Sequence, residues 1–307
     1  MNREGSVEGR LVLIQADRVS SFERARLINE AYADYYVPLH VTAEQVERID
    51  HTYDADLRRS VVAFVGEEPV GLALLGRRGA RGWIHSVGTL PTWRRCGIAR
   101  AMVAQLIASA AEAGVQKLSL EVITQNIAAC RLYESLGFRP WRELLAWRRS
   151  NDEDPLPIPR ERLVPAAPGE LYGALAAWQD QPPSWQREID SLKRLGGDLI
   201  GYRLLGDGPD PSRRAWSSLL QGEGSRASGC CLVNGSGQGV SIMAVGIRPG
   251  SDALSNGRML LQALAAAYLG QSLSLLNVPA DSVLCRVLAA LRFRVGMRQL
   301  EMVVTLR

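Results

Sequence analysis

The sequence is poor in lysine: only Lys117 and Lys193 are present, and the other basic side chains are arginines scattered along the chain. The net charge is +4 over 307 residues, so the concentrated basic face that nucleic-acid binding usually requires is missing. The five cysteines include no CxxC pair, and the three histidines lie far apart. These spacings argue against a metal site and favour reduced thiols in a cytoplasmic protein.

Long apolar runs are missing as well. The longest, at about residues 259–269, is too short to cross a bilayer, and the first ten residues are too polar for a secretory signal. We therefore expect no membrane partner. Hydrophobic residues make up 47% of the chain and charged residues 22%, which is typical of globular proteins, and the length favours two domains.

Proline marks the predicted domain boundary. Residues 151–169 contain five prolines, a composition that cannot sustain a helix or a central strand. We predict a first, catalytic domain at 1–150, a proline-rich linker at 151–169 and a second, degenerate domain at 170–307.

The second half of the sequence repeats the first. Residues 118–138 align without a gap with residues 273–293, and the shorter segment 87–91 matches 245–249. The order strand, turn, helix, strand, helix therefore occurs twice, which indicates a duplicated fold. We predict two tandem α/β domains, each a twisted mixed β-sheet flanked by helices.

Local patterns place the elements of the first half. Ser20 or Ser21 is expected to cap the first helix, and Thr42 with Gln45 resembles a capping box for the second. Helices are predicted at 20–36, 43–50, 98–113 and 127–136, and strands at 10–15, 60–66, 69–76, 82–90, 117–123 and 141–148.

Two segments carry chemistry. Arg94-x-x-Gly97-x-Ala99 follows a strand and opens a helix, whose unpaired N–H groups form an anion site. Residues 120–138 then contain a Leu-Glu-Val strand, an asparagine five residues after the glutamate, and the helix end LYESLGF. In order and spacing, both segments resemble the GNAT (Gcn5-related N-acetyltransferase) superfamily. The resemblance covers about residues 10–149 and implies acetyl transfer from acetyl-CoA to an amine.

The resemblance also implies how the cofactor binds. A V-shaped opening between two central parallel strands, usually with a β-bulge, would hold the pantetheine arm, and the loop before the helix would hold the pyrophosphate. Asn126 would bond to the pantetheine arm as well as cap its own helix. The expected cofactor-binding residues are Val87, Gly88, Thr89, Arg94, Arg95, Cys96, Gly97, Ile98, Ala99, Arg100, Asn126 and Tyr133.

Three side chains are candidates for proton transfer. Tyr133 matches the family's acid, which protonates the leaving thiolate; the alternative is a helix tyrosine that merely covers the core. Glu121 has the spacing of the general base in ribosomal-protein N-terminal acetyltransferases. His85 is a rival base, and strand alternation places it on the face of Trp83 and Val87.

The family's substrate pocket is walled by the loop between the first two helices. Here Tyr32, Tyr35 and Tyr36, with Trp83, indicate a partly aromatic pocket for an apolar or cationic amine, although ordinary helix packing explains the same rings equally well. The expected partner is a small-molecule or peptide amine. A homodimer is a further possibility, since the second domain could provide the interface between two copies of the chain.

The second copy lacks the residues that carry chemistry. Glu121 and Tyr133 correspond to Leu276 and Leu288, and Asp252 replaces Arg94. Asp281 replaces Asn126 and is expected to cap its helix. We predict that this copy does not bind CoA in the usual way. Two alternatives stay open for the whole chain: a non-catalytic acyl-CoA sensor or scaffold, or an enzyme to which the second copy supplies substrate residues.

Overall fold

The structure is a computed structural model that describes residues 9–205, 227–236 and 239–306. The predicted domain ranges also include residues 1–8, 206–226, 237–238 and 307, which lie outside the described residues. Contacts divide the chain into two compact units. One falls within Met1–Trp141 together with Leu300–Arg307, and the other within Arg142–Gln299.

The described elements comprise both strands and helices. In chain order they are β1 (Leu11–Gln15), α1 (Ser21–Ala31), α2 (Ala43–Thr52), β2 (Val61–Val65), β3 (Glu68–Arg78), β4 (Arg81–Thr89), α3 (Ile98–Glu112), β5 (Lys117–Ile123), α4 (Ile127–Ser135), β6 (Arg139–Arg149), β7 (Arg162–Ala166), α5 (Pro168–Ala177), α6 (Ile189–Leu195), β8 (Ile200–Leu205), β9 (Ala227–Ser236), β10 (Gly239–Ile247), α7 (Ala253–Ala267), β11 (Ser272–Pro279), α8 (Val283–Ala290) and β12 (Arg294–Thr305).

The first unit is a mixed sheet in the order β1-β2-β3-β4-β5-β12. Strands β1 to β4 are antiparallel neighbours, whereas β5 runs parallel to β4. One face packs on α3 through a core that includes Met102, Leu106 and Leu120. The other face packs on α1 and α2 through Leu27 and Leu72. Because both faces are covered, β3 is apolar almost throughout instead of alternating.

The second unit repeats this plan in the order β6-β11-β10-β9-β8-β7. Its β10 is antiparallel to β9 and parallel to β11, as β4 is to β3 and β5. The predicted repeat matches element by element, and Phe138 and its counterpart Phe293 are both buried. The α/β fold class and the tandem arrangement are confirmed.

The division between the units differs from the continuous ranges 1–150 and 170–307. Residues from Arg142 onward in β6 pair with β11 of the second unit. The end of β12, from Leu300 onward, belongs to the first unit, where Met302 is fully buried in the core. Each unit thus contains a strand from the opposite half of the chain. No local signal marks this exchange, because strand pairing partners are chosen by long-range contacts.

The predicted linker at 151–169 contains structure at its end. β7 includes Pro165 and lies at the edge of its sheet, where a missing N–H is tolerated. Pro168 opens α5, at the helix position that accepts proline.

Helix ends follow the local signals closely. The Ser20 hydroxyl accepts the Glu23 N–H, and Thr42 with Gln45 forms the predicted capping box. The first helix ends at Ala31, five residues short of the predicted end at 36. The reason is tertiary: hydroxyls of Tyr32 and Tyr36 donate to strand and loop carbonyl groups, which draws the segment out of the helix.

Among the helices of the described ranges, none combines the length and the apolar character that a bilayer crossing demands.

The buried end of β12 predicts a large stability effect near the C-terminus. Met302→Ala should lower the free energy of unfolding by about 2–5 kcal/mol, because it empties a filled core position. Urea unfolding measures this change. Thr305→Ala, an exposed position on the same strand, is the matched control and should change stability by less than about 0.5 kcal/mol. Equal effects of the two substitutions would contradict the placement of β12.

Candidate cofactor cleft and reaction site

The central feature of the first unit is a gap between two parallel strands. β4 and β5 pair only from Arg81–Ile84 with Lys117–Leu120 and then diverge. The divergence begins where Ser86 and Val87 form a β-bulge against β3, and Ser86 adopts a positive φ of 53°. A bulge bends its strand, so it opens the V-shaped gap that the sequence predicted.

A cleft of about 810 Å³ extends from this gap. The predicted cofactor residues line it, with the exception of Cys96. Described residues that line it are Ala31, Tyr32, Asp34, Tyr35, Tyr36, Val87, Gly88, Thr89, Trp93, Arg94, Arg95, Gly97, Ile98, Ala99, Arg100, Asn126, Ile127, Ala128, Ala129, Arg131, Leu132 and Tyr133.

One end of the cleft is suited to phosphate. Helix α3 starts at Gly97 without a side-chain cap, so its first N–H groups are free for a ligand. Gly97 and Arg95 both adopt left-handed φ values, 80° and 68°, a loop geometry that gathers N–H groups around an anion. Arg95 and Arg100 come from this loop and helix, and Arg131 approaches from α4.

Arg94 already has partners within the protein. Its two terminal nitrogens each donate to Asp34 at 2.6 Å, and it also donates to the carbonyl oxygen of Ala31 at 3.0 Å. The guanidinium holds the pKa of the Asp34 carboxyl below its ordinary value. Arg94 therefore ties the end of α1 to the end of β4, and we assign it a positioning role beside its predicted contact with pyrophosphate.

The tyrosine segment, residues 32–36, crosses the cleft between the two strands. The Tyr32 hydroxyl donates to the Val87 carbonyl at 2.9 Å, and the Tyr36 hydroxyl donates to the Gln125 carbonyl at 3.0 Å. Tyr35 packs edge-on against both rings. These residues were predicted to bind the substrate. Tyr32 also contacts β4, the strand that is predicted to hold the pantetheine arm.

Tyr133 lies on α4 and is buried, with its ring edge-on to Phe138. Burial raises the pKa of its hydroxyl, and nearby Tyr35 raises it further, so the group stays protonated at neutral pH and can serve as a proton donor. Asn126 caps the same helix by accepting the Ala129 N–H at 3.2 Å, and it also lines the cleft. The structure is therefore compatible with both predicted roles of Asn126, the helix cap and the contact with the pantetheine arm.

Trp83 and His85 are buried on the α1–α2 face of the sheet and do not line the cleft. The two rings stack with centroids 4.9 Å apart, and Tyr53 packs edge-on against Trp83. Burial, helped by the charge of Arg24, lowers the pKa of His85 to about 3. The predicted shared face of His85 and Val87 is wrong: the bulge breaks the alternation, and Val87 packs with the α3-side core.

Glu121 lies on the same α1–α2 face of the sheet as Trp83 and His85. Its neighbours Leu120 and Val122 point to the opposite face, into the α3-side core. One of its carboxylate oxygens is buried. After burial itself, the Glu121 charge is the main cause that raises the pKa of Tyr53. Tyr53 is thus a neighbour of the candidate base that sequence reasoning missed, because it follows α2 and lies far from Glu121 in the chain.

Two charged residues of the cleft were also missed. Arg131 could have been found, because it lies one helical turn after Ile127 and shares its face. Asp34 had no such signal, since only the folded chain brings it to Arg94.

The second unit has lost the phosphate loop by a shift of its helix. The positions aligned with Arg95 and Gly97 are Ala253 and Ser255, and both lie inside the first turn of α7. In the second unit the first turn of α7 replaces this loop. In the first unit the corresponding N–H groups have no side-chain cap. The predicted cap Asp281 is wrong: Ser282 caps α8 instead.

The diverging strands, the uncapped helix after a left-handed glycine, and a tyrosine-bearing helix opposite form a cleft of the kind that the resemblance to the GNAT superfamily implied. Residues 25–138 match the family model described as "Acetyltransferase (GNAT) family". This match, which covers 114 of the 307 residues, assigns to the first unit a similarity to that family.

Individual relatives agree with this assignment over limited ranges. The chain is 36% identical over 76 residues to a mycothiol acetyltransferase from Nocardiopsis dassonvillei, a match that covers 25% of this chain and 23% of the relative. The chain thus spans less than a quarter of that relative's length.

Solved structures resemble the chain over nearly its whole length. A GCN5-related N-acetyltransferase from Sphaerobacter thermophilus is 19% identical, with a TM-score of 0.67 over 97% of this chain and 96% of that one. A tandem GNAT protein from the clavulanic acid biosynthesis pathway is 15% identical, with a TM-score of 0.64 over 96% and 98%. At identities this low, the similarity establishes the fold alone.

The glycine at the start of α3 provides a test of the phosphate loop. Gly97→Ala should cost about 1–2 kcal/mol of stability, because an alanine is strained at positive φ. It should also weaken CoA binding roughly tenfold, the loss of about one charge-assisted hydrogen bond. Urea unfolding and isothermal titration with CoA measure the two effects.

Gly114 supplies a matched control at the opposite end of the same helix. Its φ is 76°, and an added Cβ would meet open space there, as it would at Gly97. Gly114→Ala should lose similar stability and keep the affinity for CoA. An equal loss of affinity in both variants would mean that strain alone, and not contact with phosphate, causes the effect.

Burial of His85 predicts a pH dependence of stability. Between pH about 6.5 and about 3 the unfolded chain carries a proton on His85 that the folded chain excludes. Acidification through this window therefore favours unfolding, by up to about 1.4 kcal/mol per pH unit. Urea unfolding from pH 7 to 5 should show a smaller decline for His85→Gln, whereas the exposed control His51→Gln should retain the full decline.

Proposed function

We propose that the chain is an N-acetyltransferase that moves an acetyl group from acetyl-CoA to a primary amine by direct attack in a ternary complex. The observation that carries this proposal is the gap between β4 and β5, which joins the phosphate loop to Tyr133 in one cleft. The volume of about 810 Å³ lies within the usual range for an organic cofactor site.

The cofactor would be held by backbone and charge. The loop N–H groups with Arg95 and Arg100 would bind the pyrophosphate, and Val87 to Thr89 would pair with the pantetheine arm. Acetyl-CoA supplies the thioester carbonyl that the amine attacks. The Val87 carbonyl is the acceptor of the Tyr32 hydroxyl, so this hydroxyl would share or yield it when the arm binds.

Proton transfer would then involve two groups. Amine attack expels the CoA sulfur, and Tyr133, kept protonated by burial, would donate a proton to it. Glu121 would accept the proton of the attacking amine. It is favoured over His85, because a pKa of about 3 makes the buried imidazole a weak proton acceptor.

The amine would approach from the face where Glu121, Tyr53 and Trp83 lie. Aromatic rings beside a carboxylate suit a cationic or partly apolar amine, whether a small molecule or a peptide. The tyrosine segment would border the same site. The second unit would act without its own acetyl-CoA, because its phosphate loop has become helix. A cytoplasmic location and a homodimer stay predictions.

Removal of one hydroxyl tests this proposal. Tyr133→Phe should lower kcat by about 10²-fold or more, because the thiolate then leaves without its proton donor. The Kd for CoA should stay within a factor of about three, since the ring remains in the cleft. Thiol release from acetyl-CoA across a panel of amines gives kcat, and isothermal titration gives Kd.

Matched variants separate the roles. Tyr172→Phe removes a hydroxyl from a partly exposed tyrosine of the second unit and should leave kcat nearly unchanged. Glu121→Gln should lower kcat more than His85→Gln does. CoA binding without amine-dependent release on any substrate would favour the alternative, an acyl-CoA sensor, and absence of CoA binding would contradict both.

A further inference from the structure

The second unit has a cavity of its own. Its strands β10 and β11 pair only from Gly239–Ser241 with Ser272–Ser274 and then diverge, as β4 and β5 do in the first unit. A cavity of about 260 Å³ lies beyond this point. Val245 and Ile247, which line it, align with Val87 and Thr89 of the cofactor cleft. The duplicated fold has therefore kept the gap.

The features that suit a nucleotide cofactor are missing from this cavity. Helix α7 replaces the phosphate loop, as described above. The Asp180 carboxylate already occupies the start of α8, where it accepts the Ser282 hydroxyl at 2.9 Å and the Val283 N–H. A negative charge at that position disfavours a phosphate. The volume is also less than a third of the 810 Å³ of the first cleft.

A guanidinium lines the cavity in place of these features. Arg187 donates to the Leu276 carbonyl at 3.2 Å, at the strand position that corresponds to Glu121. Burial lowers the pKa of Arg187 to about 10, yet the group stays charged at neutral pH. Within the described ranges no carboxylate forms an ion pair with it. A partly buried cation with spare N–H donors suits an anion in the adjoining space.

The rest of the wall is mainly apolar. Trp178, Val278 and Pro249 contribute to it beside the two β10 residues. A volume near 260 Å³ lies just below the roughly 300–1,000 Å³ of sites for drug-sized molecules. The occupant must therefore be smaller than a nucleotide, with one charged end and an apolar body.

We propose that this cavity binds a small monocarboxylate with an apolar body, whose carboxylate pairs with Arg187 and whose body contacts Trp178 and Val278. Arginine suits this task, because its planar fork matches the two oxygens of a carboxylate. This inference concerns a site separate from the cofactor cleft and does not depend on acetyl transfer by the first unit.

Phenylacetate and its neutral amide, phenylacetamide, are suitable probes for isothermal titration on the full chain. One equivalent of phenylacetate should bind, with Kd on the order of 0.1–1 mM for so small a ligand. Phenylacetamide should bind at least about tenfold more weakly, because it lacks the charge that pairs with arginine. Saturating CoA should not displace phenylacetate, since CoA is expected in the other unit.

Arg187→Gln should weaken phenylacetate binding by about tenfold or more. Arg258→Gln, an exposed arginine on α7, is the matched control and should bind like the parent. Circular dichroism and urea unfolding report folding. If Arg187→Gln fails to fold, Ala253→Leu tests the site instead, because it fills the cavity wall and should abolish binding without removing the charge.

Three results would overturn the proposal. They are absence of phenylacetate binding up to about ten times the expected Kd, equal binding of acid and amide, and equal binding by a folded Arg187→Gln. Displacement by CoA would place the ligand in the first unit and would equally reject this site.

Discussion

The divergence of β4 from β5 is the constraint on which the candidate site depends. Parallel strands normally continue to pair along their whole length, and a continuous ladder would leave no space for a ligand. The bulge at Ser86 and Val87 interrupts the pairing with β3, which resumes at Gly88, and it bends the strand away from β5. The same bulge shifts the alternation of side chains along β4. As a result Val87 faces the α3-side core, whereas His85 faces the α1–α2 side.

Around this gap the protein distributes charge and burial unevenly. The phosphate end is exposed, rich in arginine and built from left-handed backbone. The middle is lined by tyrosines whose pKa values rise on burial. His85 is kept neutral by its surroundings. A cofactor with an anionic end and an uncharged arm fits this change from a charged, exposed end to a buried, uncharged middle. The cleft as a whole is therefore stronger evidence for such a ligand than any single residue.

The two copies show what the fold requires and what it can lose. Buried Phe138 and Phe293 persist, and a positive φ persists after the last helix, at Gly137 and at Arg292. The gap between parallel strands persists too. The candidate acid, the candidate base and the proposed phosphate loop do not. Packing is thus common to both units, whereas the residues proposed for chemistry are confined to the first, and a different charge arrangement, Arg187 with Asp180, lines the second.

The sequence by itself determined the fold class, the duplication, the helix caps at Ser20 and Thr42, and the loop at Gly97. These features depend on residues a few positions apart, or on a pattern repeated along the chain, and so can be recognised locally. Only the tertiary structure decided that β6 and β12 each complete the opposite unit. It alone brought Asp34 to Arg94, Tyr53 to Glu121 and Asp180 to α8. The physical reason is that strand partners and long-range ion pairs are chosen by burial and complementary geometry between segments distant in the chain, and no local spacing records that choice.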